Sequence, residues 1–348
     1  MTNIFQPYDG WELAYEAIRQ SVGLLHISEC WESIDIKGPD THGFLERAAT
    51  NTVPHKKIGY TAFCDEDGHL LALAWVVMHA KDAATLYVDK GLGGPLATHL
   101  QQVATTHQRD VSVATGCPTG LAIVGPQGLR VIQKVAGDDM IGLPYLGWVN
   151  QAIPNVGPSL ICRCGLTGEY DYRVLVSPDQ MAALAHHIEQ VSGPIPTLSP
   201  AILSLLHIEM KSVSPAHCPP GMTAVNAGLH GVIGFNKPDF CGKQVLTDQK
   251  EGDRYVRMIM LQAKQDHPLV TVDSPDVMFD HQPAGTCVGG GYSPTIGRTV
   301  LMAYVHPEVA WPGLSFSIQS NGERIELEAV SSPVFITQSV GIARQHGA

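Results

Sequence analysis

Three observations predict an α+β fold in which two duplicated ferredoxin-like modules precede a small C-terminal β-barrel. One local pattern recurs four times: an apolar strand, a turn with Gly or Ser before Pro, then an amphipathic helix. Strand-like segments at residues 60–64 and 70–79 lie between these units, the arrangement of helices on one side of antiparallel sheets. Beyond about Lys250 the texture changes to short β-rich pieces broken by Gly and Pro.

The first unit runs Ile34-Asp-Ile-Lys, Gly38-Pro39-Asp40, then an amphipathic stretch from Thr41 to Ala49. The second is looser, Leu86-Tyr-Val-Asp-Lys before a helix opening at Gly93-Gly94-Pro95. The third is Leu121-Ala-Ile-Val, Gly125-Pro126-Gln127 and a helix over 128–136, and the fourth leads from Tyr172 through Ser177-Pro178-Asp179 into 180–191. Proline presets the first helical turn and lacks the N–H that would go unsatisfied there, so each changeover is encoded locally. A dinucleotide fold is disfavoured: no GxGxxG follows a strand, and Gly289-Gly290-Gly291 precedes no helical pattern. Barrel strands are expected at 254–261, 283–289, 299–305, 315–318 and 324–329. The domain division is therefore residues 1–250, two interleaved α+β subdomains, and 251–348, the barrel.

At 348 residues the chain is too long for one simple core, and 44% apolar with 16% charged residues describes a well-buried globular protein. The net charge of -11 argues against a nucleic-acid partner, since phosphate binding needs clustered Lys and Arg and the longest basic run is Lys56-Lys57. No apolar run reaches bilayer length and the N-terminus lacks a basic-then-apolar leader, so no membrane partner and a cytoplasmic location are expected. Eight dispersed cysteines without a CxxC pair are expected to stay reduced. Sixteen histidines show no HExxH or His-x3-His spacing, so no metal site is expected.

The stretch Cys162-Arg-Cys-Gly-Leu-Thr-Gly-Glu-Tyr-Asp-Tyr-Arg-Val-Leu-Val176 places one acid, Glu169, at a tight Thr-Gly turn entering an apolar strand. A carboxylate there either reads the paired N–H donors of a flat pterin or purine edge or is a solvated turn acid.

Several spaced motifs together resemble the glycine-cleavage T-protein (aminomethyltransferase) superfamily, from about Gly23 to Val305. Gly23-Leu-Leu-His-Ile-Ser28 is similar to its GLFDxSH stretch, Tyr60-Thr-Ala-Phe-Cys-Asp-Glu-Asp-Gly68 to YTxxLNEDG, and Leu166-Thr-Gly-Glu169 to YTGE. Ala122-Ile-Val-Gly125-Pro126-Gln127 resembles the family's strand before a Gly-Pro helix start. Met222-Thr-Ala-Val-Asn-Ala-Gly228-Leu229 with Asp239-Phe-Cys-Gly242-Lys243 resembles TTPxEAGL and DFIGR, and Tyr292-Ser293-Pro294-Thr295-Ile-Gly297 resembles GxxSPTLG.

The resemblance implies a three-domain cloverleaf around a central channel, with tetrahydrofolate as cofactor. It implies that Glu169 anchors the pterin ring, that Tyr60 lines the folate pocket, and that Asp89, ending the next strand, reaches the cofactor. Tyr172 is a further cofactor-binding candidate. Tyr60 and His26, which stands where the family motif has an acid, are the candidate catalytic groups. Trp31 and Trp75 are candidates to wall a cage for a cationic substrate, and Arg298, past the Ser-Pro-Thr turn, to meet a carboxylate.

Departures from the pattern bear on the reaction. Where relatives carry an Asp-Asp pair whose second acid is catalytic, this chain reads His69-Leu-Leu-Ala72-Leu73. The ARDxLRLE helix, whose first Arg helps bind folate, reads Ile202-Leu203-Ser-Leu-Leu-His207-Ile-Glu209. Loss of the acid is similar to the superfamily's demethylase branch, which implies methyl transfer from a small sulfonium, ether or amine donor to folate. The alternatives are aminomethyl or other one-carbon transfer from an unusual amine, and a non-enzymatic folate-binding role in iron-sulfur maturation, for which Cys241 resembles only loosely the required Cys signature.

Overall fold

The computed structural model describes residues 3–253, 255–265 and 272–345. Two five-stranded antiparallel sheets and a closed barrel make up the architecture. In the first sheet the strands run in the order Gly59–Cys64, Leu70–Ala80, Ala83–Asp89, Trp31–Lys37, Ser112–Gly116. Helices Thr41–Ala48 and Gly93–Thr106 cover one face, with Phe44, Leu45, Leu96 and Leu100 packed on Ile34, Ile36, Val76 and Leu86. The N-terminus of the longer helix is held by Glu32, whose carboxylate accepts the Gly93 N–H at 2.8 Å, an anion where the helix dipole is positive.

The second sheet has the order Gly23–His26, Gly120–Val124, Asp171–Leu175, Gly157–Arg163, Gly147–Ile153. Helices Gly128–Ala136 and Met181–Ser192 cover one face through Val131, Ile132, Leu184 and Ile188. All four anticipated strand-turn-helix units are present, and in each sheet the helices lie on one side.

The uncovered faces of the two sheets meet, joined by helices Trp11–Gln20 and Ile202–Glu209. Strand alternation decides what enters this shared layer. Ile34 and Ile36 turn to the helices and Trp31 away from them; likewise Val76 and Trp75, and Leu86 and Tyr87.

The barrel closes through Gln282–Ser293, Asp276–Phe279, Ser315–Ser320, Glu323–Val330, Arg257–Ala263 and Arg298–Val305, the last pairing back to the first. Five of these strands correspond to the expected ones, with Arg254 of the first expected strand outside the described residues; Asp276–Phe279 was missed because it is short and bulged. Leu261, Val277, Leu301, Phe316 and Leu327 fill the interior. The outer face packs on the Ile202–Glu209 helix, where Met258, Met260, Val300 and Met302 cluster with Ile208. Beyond the barrel, the chain returns to the second sheet as helix Gln338–Gln345. Among the described residues no helix is long and apolar enough to cross a membrane.

Candidate functional site

A cavity opens where the two sheets and the Ile202–Glu209 helix meet. Leu25, Ile27 and Ala122 form its apolar wall, and Leu203 and His207 project from the helix. Cys30, Trp31, Asp89, Asp171 and Arg173 supply the chemistry.

Asp171 and Arg173 enter because residues two apart in a strand share a face, and Tyr172 between them turns the other way. Arg173 lies over the Trp31 ring, 2.8 Å from its centroid, and 5.8 Å from the Trp75 centroid. Its Nε and Nη2 donate to the Asp171 carboxylate at 3.2 and 3.4 Å, while Nη1 is buried with no partner. Burial pushes the Asp171 carboxyl up against the opposing pull of Arg173, and the same two causes act on Asp89 at the cavity mouth. His207 is driven down to about 3, first by burial and then by His217, Arg173 and Arg19, so it is a neutral imidazole. Burial raises the Cys30 thiol to about 12, which removes it as a thiolate nucleophile.

Of the residues singled out from sequence, Trp31 and Asp89 line this cavity. Tyr60 and Trp75 stand on the same sheet face, stacked at 4.1 Å with 25° between their planes, and burial first, then Asp89, raises the Tyr60 hydroxyl. Leu73, two residues before Trp75, shares that face and packs with Ala62, Ala227 and Phe240.

Four residues singled out from sequence fall outside the described lining of this cavity. Glu169 lies outside the described cavity lining and is not a solvated acid: its side chain is 1% exposed and closes the N-terminus of helix Gln338–Gln345. It accepts the Gln338 and Ser339 backbone N–H groups at 3.3 and 2.9 Å and the Ser339 hydroxyl at 2.5 Å, with Arg19 at 3.6 Å. Tyr172 is fully buried against the helices, in one core with Tyr170 and Val174. His26 falls on the face of Leu24, which packs toward the helices, whereas Leu25 meets the cavity. Arg298 begins a barrel strand and donates to the Ala263 carbonyl at 3.5 Å; the described cavity lining takes nothing from the barrel.

Sequence reasoning missed Asp171, Arg173, Cys30 and His207. The available signal was two charges at alternate positions of an otherwise apolar strand, which marks a polar spot on one sheet face.

Residues 1–237 match the GCVT N-terminal domain, and residues 257–335 match the glycine cleavage T-protein C-terminal barrel domain. The chain belongs to the glycine cleavage T-protein family. Curated T-protein relatives include an aminomethyltransferase from Bacillus cereus (strain AH187), 25% identical over 94% of this chain and 93% of the relative. Another is from Bacillus anthracis (strain CDC 684 / NRRL 3495), 24% identical over 94% and 93%. The crystal structure of glycine cleavage system aminomethyltransferase T from Bartonella henselae shares the fold, with a TM-score of 0.81 and 19% identity over 95% of this chain and 91% of that one. As a T-protein family member the chain is a tetrahydrofolate-dependent one-carbon transferase.

The cavity residues fit the folate ring in kind. An unpartnered buried guanidinium N–H, a carboxylate at Asp89 and a flat aromatic face at Trp31 match a planar ring edge carrying both acceptors and donors.

Proposed function

We propose that the chain transfers a methyl group from a small donor to tetrahydrofolate. The observation that carries this reading is Leu73: the position where the family pattern holds its catalytic acid is a leucine, 6% exposed, among Ala62, Ala227 and Phe240. A hydrocarbon side chain cannot hold an amine or take up a proton, as aminomethyl transfer from a carrier requires. Methyl displacement needs donor methyl, nucleophile and leaving group held in line, and that is a matter of walls rather than of a base. Folate, when bound, supplies the nitrogen that accepts the one-carbon unit. The Tyr60–Trp75 stack provides aromatic surface for a cationic donor, and Asp89 adds a carboxylate nearby. A sulfonium or quaternary ammonium leaves as a neutral group, which suits a site without a dedicated acid.

Asp89 also supports a second reading. A carboxylate that lines the cavity and is also open to solvent can pass a proton between the two, so Asp89 would serve transfer from an unusual amine with methylene as product. The iron-sulfur alternative gains no support, because Cys241 is fully buried in the core under the first sheet with its thiol raised to about 11 by burial.

The test is incubation with tetrahydrofolate and a panel of methyl sulfonium, aryl methyl ether and methylamine donors, with folate products resolved by mass spectrometry. The proposal expects 5-methyltetrahydrofolate and demethylated donor. Formation of 5,10-methylenetetrahydrofolate instead would favour the second reading.

A further inference from the structure

We infer that a second cavity, between the barrel and the end of helix Ile202–Glu209, binds a small monocarboxylate with an apolar or aromatic body, its carboxylate on the Lys211 ammonium. The cavity is about 560 Å³, the size of a small-ligand pocket, and shares no lining residue with the cavity between the sheets.

Lys211 stands where helix Ile202–Glu209 closes. Its N–H donates to the Ile208 carbonyl at 2.9 Å and the Ser212 N–H to the His207 carbonyl at 2.8 Å, the pattern that ends many helices on a glycine. Here the position has φ of +54°, which glycine adopts freely and lysine only at a cost. Lys211 is half-buried in the cavity wall, and its ammonium makes no hydrogen bond or ion pair with a described residue. Burial alone lowers it from 10.5, with no acid to hold it up. Lys237 shows the contrast: its ammonium has Glu46 at 3.1 Å and donates to the Ala49 and Asn51 carbonyls at 2.8 and 2.9 Å. A lysine at a glycine position, facing a cavity and lacking an anion, is suited to receive one.

The backbone offers a donor to the same cavity. Strand Glu323–Val330 pairs with Arg257–Ala263 only as far as Val330 opposite Met260, and Ser331 and Ser332 make no backbone hydrogen bond that closes the next rung. Lys264 donates to the Glu326 carbonyl, and hydrogen-bonded pairs alternate along an antiparallel ladder, so the register puts the Met258 N–H on the open side. Met258 lines the cavity.

Charge and surface choose the ligand. Asp253 and Arg257 line the cavity and pair with each other, so the described lining is left one charge positive by Lys211, in a chain of net charge -11. One carboxylate neutralises it, and a dianion overfills it. The glutamyl tail of folate carries two carboxylates and does not match. Met260, Val330, Pro307 and Pro312 make the rest of the wall apolar, and Trp311 stands 65% exposed beside them. An indole face so open is suited to cover an apolar or aromatic body.

The experiment titrates the full chain with benzoate, an aromatic monocarboxylate, by tryptophan fluorescence and calorimetry, with neutral benzamide and inorganic phosphate beside it. Benzoate is expected to bind saturably and to change the emission of the wild type but not of Trp311→Phe. Benzamide and phosphate should bind at least about tenfold more weakly. Lys211→Gly suits the backbone at this position, so it should keep or raise Tm while weakening benzoate by at least about tenfold. Saturating tetrahydrofolate should leave the benzoate Kd within about threefold. Absence of saturable benzoate binding, equal binding of benzamide or phosphate, or affinity that survives Lys211→Gly overturns the inference. Displacement of benzoate by tetrahydrofolate overturns it as a separate site.

Discussion

His207 stays neutral because it is enclosed beside Arg173 and Arg19, and His217 is likewise lowered, to about 4, by burial. Both ordinary values are 6.5, so the unfolded chain takes up protons below that pH while the folded chain does not. Stability is therefore full above the ordinary value and falls as pH drops from about 6.5 toward 4, by up to about 1.4 kcal/mol per pH unit for each group. Asp89 and Asp171 are raised, first by burial, and act in the opposite direction, because the folded chain takes up their protons at a higher pH than the unfolded chain does. His207→Leu should flatten the fall in Tm between pH 7 and 5; an unchanged slope would show that the imidazole is not buried neutral. At this scale the sequence was legible where strand parity could be counted. Trp31, Tyr60, Trp75 and Asp89 all face the same layer, whereas Tyr172 was placed one residue off the face that Asp171 and Arg173 occupy. Glu169 was legible as a special acid but not as a helix cap, because its partner lies 170 positions away at Ser339.

The Thr167–Gly168–Glu169 turn and helix Gln338–Gln345 form one clasp. Thr337 donates to the Gly168 carbonyl at 2.7 Å, and Ser339 accepts the Tyr170 N–H at 2.9 Å. Gly168 has φ of +80°, and a Cβ there would lie 2.5 Å from Met210 Sδ and 2.7 Å from Thr337 Cγ2. Gly168→Ala should thus destabilise the protein by about 1–3 kcal/mol, measured by urea unfolding, and an effect below a few tenths would mean the clasp is loose. Element order was readable from sequence because each strand-to-helix turn carries its own Gly-Pro or Ser-Pro signal. The clasp was not, because it joins segments whose local patterns say nothing about each other.

The N-terminal helix, the Thr167 turn of the second sheet, the Ile202–Glu209 helix and the barrel converge on one buried polar network. Arg19 donates from Nη2 and Nε to Glu209 at 2.6 and 3.1 Å and from Nη1 to the Thr167 carbonyl at 2.7 Å. Glu209 also accepts from Tyr15 at 2.6 Å and from Ser293 of the barrel at 2.5 Å. Removing one member of such a buried set strands the others, so Arg19→Leu should cost about 3–5 kcal/mol. Since the network spans the N-terminal helix, the second sheet and the barrel, calorimetry should show one unfolding endotherm for the wild type and two for Arg19→Leu. A single transition at unchanged Tm would mean the domains are joined by apolar packing alone. The Ser293-Pro294-Thr295 turn thus ties the barrel to the rest, with Thr295 bonded to the Tyr15 hydroxyl at 2.6 Å.

The central claim is that folate is read in the cavity between the sheets and not at the Thr-Gly turn. The direct test is calorimetric titration of tetrahydrofolate into the wild type, Asp89→Ala and Glu169→Gln. The account predicts that Asp89→Ala weakens binding by at least about tenfold while Glu169→Gln, once shown to be folded, stays within about threefold. Loss of binding in Glu169→Gln with Asp89→Ala unaffected would contradict it and return the ring to the turn.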